Sequence, residues 1–180
     1  ANVLGVLIDR SKQPERVKRK FRLTLHRLVR FDGHQVFQQI TPYVGRVESS
    51  SGLGRYFRVE GGIVGLSCRT GSLVVVEKKD EKKFDRIWEI TNLLASGAKN
   101  IRPYVDSLLA CPFFAPEKKG GKQHVTMVLF VDSAETGFFN SEVQETISAA
   151  CSGFVQLLEG LHASGALRPV VSFYPGFRVR

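Results

Sequence analysis

The sequence predicts an α+β fold, a sheet covered by helices, and three stretches carry that prediction. Phe21-Arg22-Leu23-Thr24-Leu25-His26 alternates strictly, with Phe21, Leu23 and Leu25 on one face of a half-buried strand. Val125-Thr126-Met127-Val128-Leu129-Phe130-Val131 is apolar on both faces, as a central strand covered on both sides should be. Val143, Ile147, Ala150, Cys151, Phe154, Leu157, Leu158 and Leu161 form one stripe of a long helix that starts at Ser141 and ends near Gly165.

The elements follow in order. Residues 1–20 begin apolar and turn basic, with Pro14 as a break. The sole methionine is Met127. We therefore expect residues 1–20 to be a linker arriving from an upstream region of a longer protein. The first strand continues to about Val29. Asp32-Gly33 is a turn signal, and Val36 to Tyr43 returns as the second arm of a β-hairpin. Pro42, which has no N–H to give, ends the useful pairing. Residues 44–56 contain Ser49-Ser50-Ser51-Gly52-Leu53-Gly54, a loop by composition. Arg55 to Val59 is a short extended piece.

Gly61-Gly62-Ile63-Val64-Gly65-Leu66-Ser67-Cys68-Arg69-Thr70-Gly71 reads as a tight helix pressed on the sheet by Ile63, Val64 and Leu66. Gly71 is placed to end it in the left-handed conformation, with Arg69 as a cation in the last turn. Val74-Val75-Val76 is a buried strand. Asp80 is a plausible N-cap for a helix carrying Phe84, Ile87, Trp88, Thr91, Leu94 and Ala95, stopped by Gly97. Ser107 to Phe114 is strand-like, with Pro112 late in it, and Glu117 to Gln123 is a polar hairpin loop. Ser141 with Gln144 has the spacing of a capping box. Residues 164–180 are a tail or linker with Pro169, Pro175 and Gly176.

A chain of 180 residues suffices for one well-buried core. No apolar run reaches the roughly 18 residues that span a bilayer, so neither membrane insertion nor a secretory leader is expected, and the chain reads as cytoplasmic. The net charge of +9 points to anionic company. Yet the bases cluster locally, at Arg16, Lys18, Arg19, Lys20 and Arg22 and at Lys118, Lys119 and Lys122, while the aromatics follow the apolar stripes. That is not the interleaved face of a nucleic-acid binder. Cys68, Cys111 and Cys151 are an odd number without CxxC spacing, which argues for buried free thiols rather than a disulfide or zinc framework.

With these residues placed, the chain resembles a GAF domain over roughly residues 21–162. Gly62-Ile63-Val64-Gly65 with Arg69-Thr70-Gly71 resembles the family's short helix and its exit. Ser107-Leu108-Leu109-Ala110-Cys111-Pro112-Phe113 resembles its proline-containing strand. Met127-Val128-Leu129-Phe130, followed by Phe138 or Phe139, resembles its final strand and the approach to its last helix. The resemblance implies a domain over residues 21–163 with a central antiparallel sheet of about six strands and helices on both faces. It also implies a sensing or dimerising role inside a signalling protein. Three departures stand out. Asp132-Ser133 occupies the place of the Asn-Lys pair of cyclic-nucleotide-binding members. No cysteine is followed by histidine, as in bilin-binding members. Cys68 and Cys111 do not sit where the family's free methionine sulfoxide reductases hold their reactive thiols.

Catalysis needs a base beside a nucleophile or two carboxylates with split pKa values. His26, His34, His124 and His162 fall one to an element with no such neighbour, and no P-loop, HExxH or GxSxG occurs. We expect no enzyme, no cofactor and no metal. His26 reads as a packed or half-exposed strand residue. A pocket in this layout lies between the sheet and the segments Ile63–Cys68 and Phe84–Ala95. Arg55, Arg58 and Arg69 are its expected anion partners. Thr70, Asp106, Ser107 and Asp132 are placed to orient a ligand, and Trp88 and Phe57 either line the cavity or fill it. If they fill it, the domain is a homodimer module that pairs through its flanking helices. Expected partners are thus a small molecule, a second copy, and other domains of the same polypeptide.

Overall fold

The structure, a computed structural model, describes residues 21–45, 53–77, 105–114 and 124–163, and for residues 155 and 157–163 the backbone only. β1 (Phe21–Phe31) and β2 (His34–Gln39) form the expected hairpin, in register from His26 opposite Gln39 to Phe31 opposite His34. Its two-residue turn has positive φ at both Asp32 (49°) and Gly33 (77°). That is the mirror-image turn whose twist matches paired strands, and Asp-Gly is the dipeptide that tolerates it.

β2 ends at Gln39, short of the expected Tyr43, and pairing with β1 resumes only at β3 (Val44–Gly45). Between them Thr41 bridges the gap. Its Oγ1 accepts from the Leu25 N–H at 2.8 Å, and its carbonyl accepts from the Thr24 hydroxyl at 2.9 Å. A side chain thus replaces the ladder where Pro42 interrupts it.

β4 (Tyr56–Arg58), β5 (Val74–Glu77), β6 (Ser107–Phe114) and β7 (Val125–Ser133) complete a sheet of order β4-β2-β1-β7-β6-β5, with β3 beside β1. Every pairing among the described residues is antiparallel. β7 lies inside the sheet, between β1 and β6, as its two-sided apolarity requires. β5 pairs with β6 only from Ser107 to Ala110. Pro112 lies beyond that pairing, where a residue without an N–H is tolerated.

The two helices among the described residues cover opposite faces. α1 (Gly62–Thr70) and α2 (Ser141–Ala163) each bury one set of alternate strand residues. Phe21, Leu25, Leu109, Cys111, Phe113, Leu129 and Val131 pack with Phe139, Ile147 and Cys151 on the α2 side. Phe37, Leu108, Ala110 and Val128 pack with Ile63, Val76 and Val105 on the α1 side. The expected covered antiparallel sheet is therefore present, with six strands in line and a two-residue seventh among the described residues. The expected helix 80–97 and the loop 117–123 lie outside the described residues.

α1, the tight helix read from the sequence, runs for 9 residues. Gly71 ends it at φ 62°, ψ 26°, with Arg69 in the last turn, as read from the sequence. Of its expected apolar contacts Ile63 is buried, while Val64 and Leu66 are half-buried. Ser67 is buried instead, and its hydroxyl donates to the Ser72 carbonyl at 2.8 Å. Gly65 is where the chain leading in from β4 crosses the helix. A Cβ there would stand 2.2 Å from the Val59 carbonyl oxygen, the same oxygen that accepts from Arg69 Nη1 at 2.8 Å. Gly65→Ala should therefore destabilise the domain by about 1–3 kcal/mol through forced displacement of backbone. The check is a lower urea midpoint at unchanged slope. An unchanged midpoint would show that the crossing yields freely.

α2 starts at Ser141, but its cap is one residue earlier. Asn140 Oδ1 accepts from the Val143 N–H at 3.0 Å, and Gln144 Nε2 donates to the Phe139 carbonyl at 2.7 Å. The Ser141–Gln144 capping box is thus corrected to an Asn140 cap. Asn caps at least as well as Ser, and Gln144 finds a carbonyl behind the helix start. Among the described residues no helix is long and apolar enough to cross a membrane.

Candidate functional site

The two faces of the sheet differ in chemistry. Because side chains alternate along a strand, Phe21 and Leu25 under α2 put Arg22, Thr24 and His26 on the α1 side. β7 likewise adds Phe130 and Asp132 beyond Val128, and β2 adds Gln39 beyond Phe37. The α2 side is apolar through its centre, whereas the α1 side carries a row of polar groups, all of them buried.

Arg22 and Asp132 face each other across β1 and β7. Arg22 Nε donates to Oδ1 at 2.9 Å and to Oδ2 at 2.7 Å, and the guanidinium carbon lies 4.2 Å above the Tyr43 ring. Asp132 is 1% exposed, so this ion pair is shielded from solvent. Next along β1, the Thr24 hydroxyl is taken up by Thr41. His26 and Gln39 then stand directly opposite one another.

Gln39 is held firmly. Its N–H donates to the Arg55 carbonyl at 2.9 Å, its carbonyl accepts from the Gly54 N–H at 2.8 Å, and its Nε2 donates to the Thr41 carbonyl at 3.0 Å. Among the described residues its Oε1 has no hydrogen-bond partner, and neither has His26 Nδ1. Yet Gln39 is 1% exposed and His26 4%. Buried polar atoms left unpaired are uncommon and costly. The His26 ring meets the edges of Phe57 (centroids 5.2 Å apart) and Phe130 (6.2 Å). Burial pushes its pKa down to about 4, so it is neutral at pH 7. With Arg22 and Asp132 neutralising one another, the row presents no net charge.

The expected site residues are dispersed differently. Asp132 is in the row, and Phe57, 40% exposed, closes its outer end against His26. Arg55 and Arg58 are exposed on and before β4, and Arg58, opposite Val36, is on the other face from Phe57. Arg69 and Thr70 are exposed at the end of α1, bonded to the Val59 and Leu66 carbonyls. Ser107 is buried on the α2 side and donates to the Glu135 carbonyl at 2.7 Å. Asp106 is half-buried, its N–H bonded to the Ser133 carbonyl. Trp88 lies outside the described residues. The three flanking arginines are all exposed, and the arginine buried among the described residues is Arg22, which composition assigns to a surface cluster. Arg22, Thr24, His26 and Gln39 escape a reading strand by strand. The signal for them is indirect: a strand beside one that is covered on both faces is itself covered, so its polar alternates are inside.

All three cysteines are free. Cys68 is half-buried on α1, its thiol pushed up by burial. Cys111 and Cys151 are buried together on the α2 side. The hydrogen bond to Cys111 and burial push the Cys151 thiol up.

No protein-family model matches the sequence, and no curated protein is similar to it. Solved structures are similar in fold. The GAF domain of an Acinetobacter phosphoenolpyruvate-protein phosphotransferase superposes with a TM-score of 0.56 at 15% identity, over 93% of this chain and 89% of that one. The GAF domain of a Bacillus halodurans two-component sensor histidine kinase gives 0.55 at 12%, over 91% and 95%. The free methionine-R-sulfoxide reductase of Neisseria meningitidis, solved with its substrate, gives 0.57 at 13%, over 91% and 81%. The chain has the GAF fold.

Proposed function

We propose that this domain is a non-catalytic regulatory module that binds a small molecule on the α1 side of its sheet. It acts in the cytoplasm within a longer signalling polypeptide. The observation that carries the reading is the asymmetry of the two faces. A face meant only to be covered is apolar or has its polar groups paired: the α2 side is apolar through its centre, and its buried Gln38, Ser107 and Ser133 are each hydrogen-bonded. The α1 side instead buries Arg22, Thr24, His26, Gln39 and Asp132, with two hydrogen-bonding atoms unmet. A face of this kind suits a ligand with a few polar contacts among apolar walls. Sensory proteins among the fold's neighbours support the signalling part.

The fold also serves reductases, as in the Neisseria protein. For this chain we favour binding over catalysis, because Cys111 and Cys151 are on the side away from the polar row and Cys68, on the α1 side, has its thiol pushed up by burial. Thermal shift against nucleosides, nucleotides, amino acids and organic acids tests the reading. A true ligand at 100 times its Kd should stabilise by about 2.7 kcal/mol. The effect should be lost when Thr24→Phe fills the middle of the row. A panel with no stabilising member, or a hit indifferent to Thr24→Phe, would count against a site on this face.

A further inference from the structure

We propose that the His26–Gln39 pair is the anchor of this site and that it selects an uncharged amide over the carboxylate of the same shape. The inference rests on the binding reading above and names the ligand class for it.

Gln39 Oε1 can only accept, and a buried acceptor without a donor favours a ligand that brings an N–H. The Gln39 amide cannot simply turn over to present its nitrogen, because Nε2 is engaged by the Thr41 carbonyl, where an oxygen would be repelled. Its backbone is fixed on both sides by Gly54 and Arg55, so the acceptor is preorganised. His26 Nδ1, opposite, can donate or accept according to tautomer. Facing residues of antiparallel strands have Cβ atoms about 4.5–5.5 Å apart, so one small planar group can reach both. A carboxamide fits this demand: its N–H serves Gln39 and its carbonyl is left for His26. A carboxylate offers no donor and sets its charge against Oε1. The nearest buried cation, Arg22, is already taken by Asp132. Phe57 and Phe130 supply apolar walls beside the pair.

The test uses matched probes, nicotinamide against nicotinate, benzamide against benzoate, and glutamine against glutamate, by thermal shift and calorimetry on the full chain. The expected result is that at least one amide binds about ten-fold or more tightly than its carboxylate, as for one hydrogen bond made or lost in a buried site. Gln39→Met should abolish that preference. If this variant does not fold, the ¹⁵N shift of His26 Nδ1 in the wild-type protein gives a second readout, and it should move with the amide alone. A carboxylate that binds as well as its amide, a preference that survives Gln39→Met, or a His26 signal unmoved by a bound amide overturns the inference but leaves the binding reading standing. If no probe pair binds while another class in the wider panel does, the inference again fails alone. If nothing in either panel binds, both fail.

Discussion

Asp132→Ala is expected to destabilise the domain by about 3–5 kcal/mol, the cost of leaving a buried charge without its counter-ion. Asp132 is 1% exposed and holds Arg22 through Nε contacts of 2.9 and 2.7 Å to its two oxygens. The Arg22 side chain is 11% exposed, too enclosed to swing fully into water. Removing the carboxylate leaves the guanidinium against the Tyr43 ring, whose attraction recovers only part of the loss. The double variant Arg22→Met with Asp132→Leu separates two ideas about this pair. Exchange of a whole buried ion pair for apolar side chains is often close to neutral. We expect the double variant to lie well above Asp132→Ala in stability, with a large coupling in a double-mutant cycle measured by urea unfolding. A single variant within about 0.5 kcal/mol of wild type, as for an ordinary surface substitution, would mean that the pair is solvated in solution.

Those same two residues show where the sequence is readable. Asp132 follows an apolar run, so its place at the end of a central strand is legible, and it belongs to the expected site. Arg22 sits after Lys18, Arg19 and Lys20 and inside a strictly alternating strand, so it reads as a base on a wet face. Alternation separates two faces but does not say that the second is open. That depends on which strand lies beside which, and on the helices above, neither of which is local information. The hairpin at Asp32-Gly33 and the end of α1 at Gly71 were legible because each is set by backbone angles that few residues adopt. The break in β2 was only half legible. Pro42 announces an interruption, but the use of Thr41 as a substitute acceptor depends on Thr24 and Leu25 across the pair. The arginines near the glycine segment are plausible anion partners by composition, and the structure spreads Arg55, Arg58 and Arg69 over exposed positions.

His26 should make the stability of the domain fall as the pH drops from about 6.5 to 4. The ordinary imidazole titrates at 6.5, and burial lowers the His26 value to about 4 in the folded chain. Between these limits the unfolded chain holds the proton and the folded chain does not, so acid favours unfolding. The contribution is fully present above pH 6.5, declines through the window, and is gone below about 4. At 1.36 kcal/mol per pH unit, the gap corresponds to about 3 kcal/mol. Other groups in the chain also respond to acid, so the wild-type curve alone does not isolate this residue. The difference between wild type and His26→Gln does, because those other groups are common to both. Urea unfolding of the two proteins at intervals from pH 7.5 to 4 should show His26→Gln gaining about 3 kcal/mol on wild type across the window, with no relative change above it. A difference that stays flat would mean that His26 takes up its proton while folded. The neutral Nδ1 on which the site's chemistry depends would then be held only above about pH 6.5, not down to about 4.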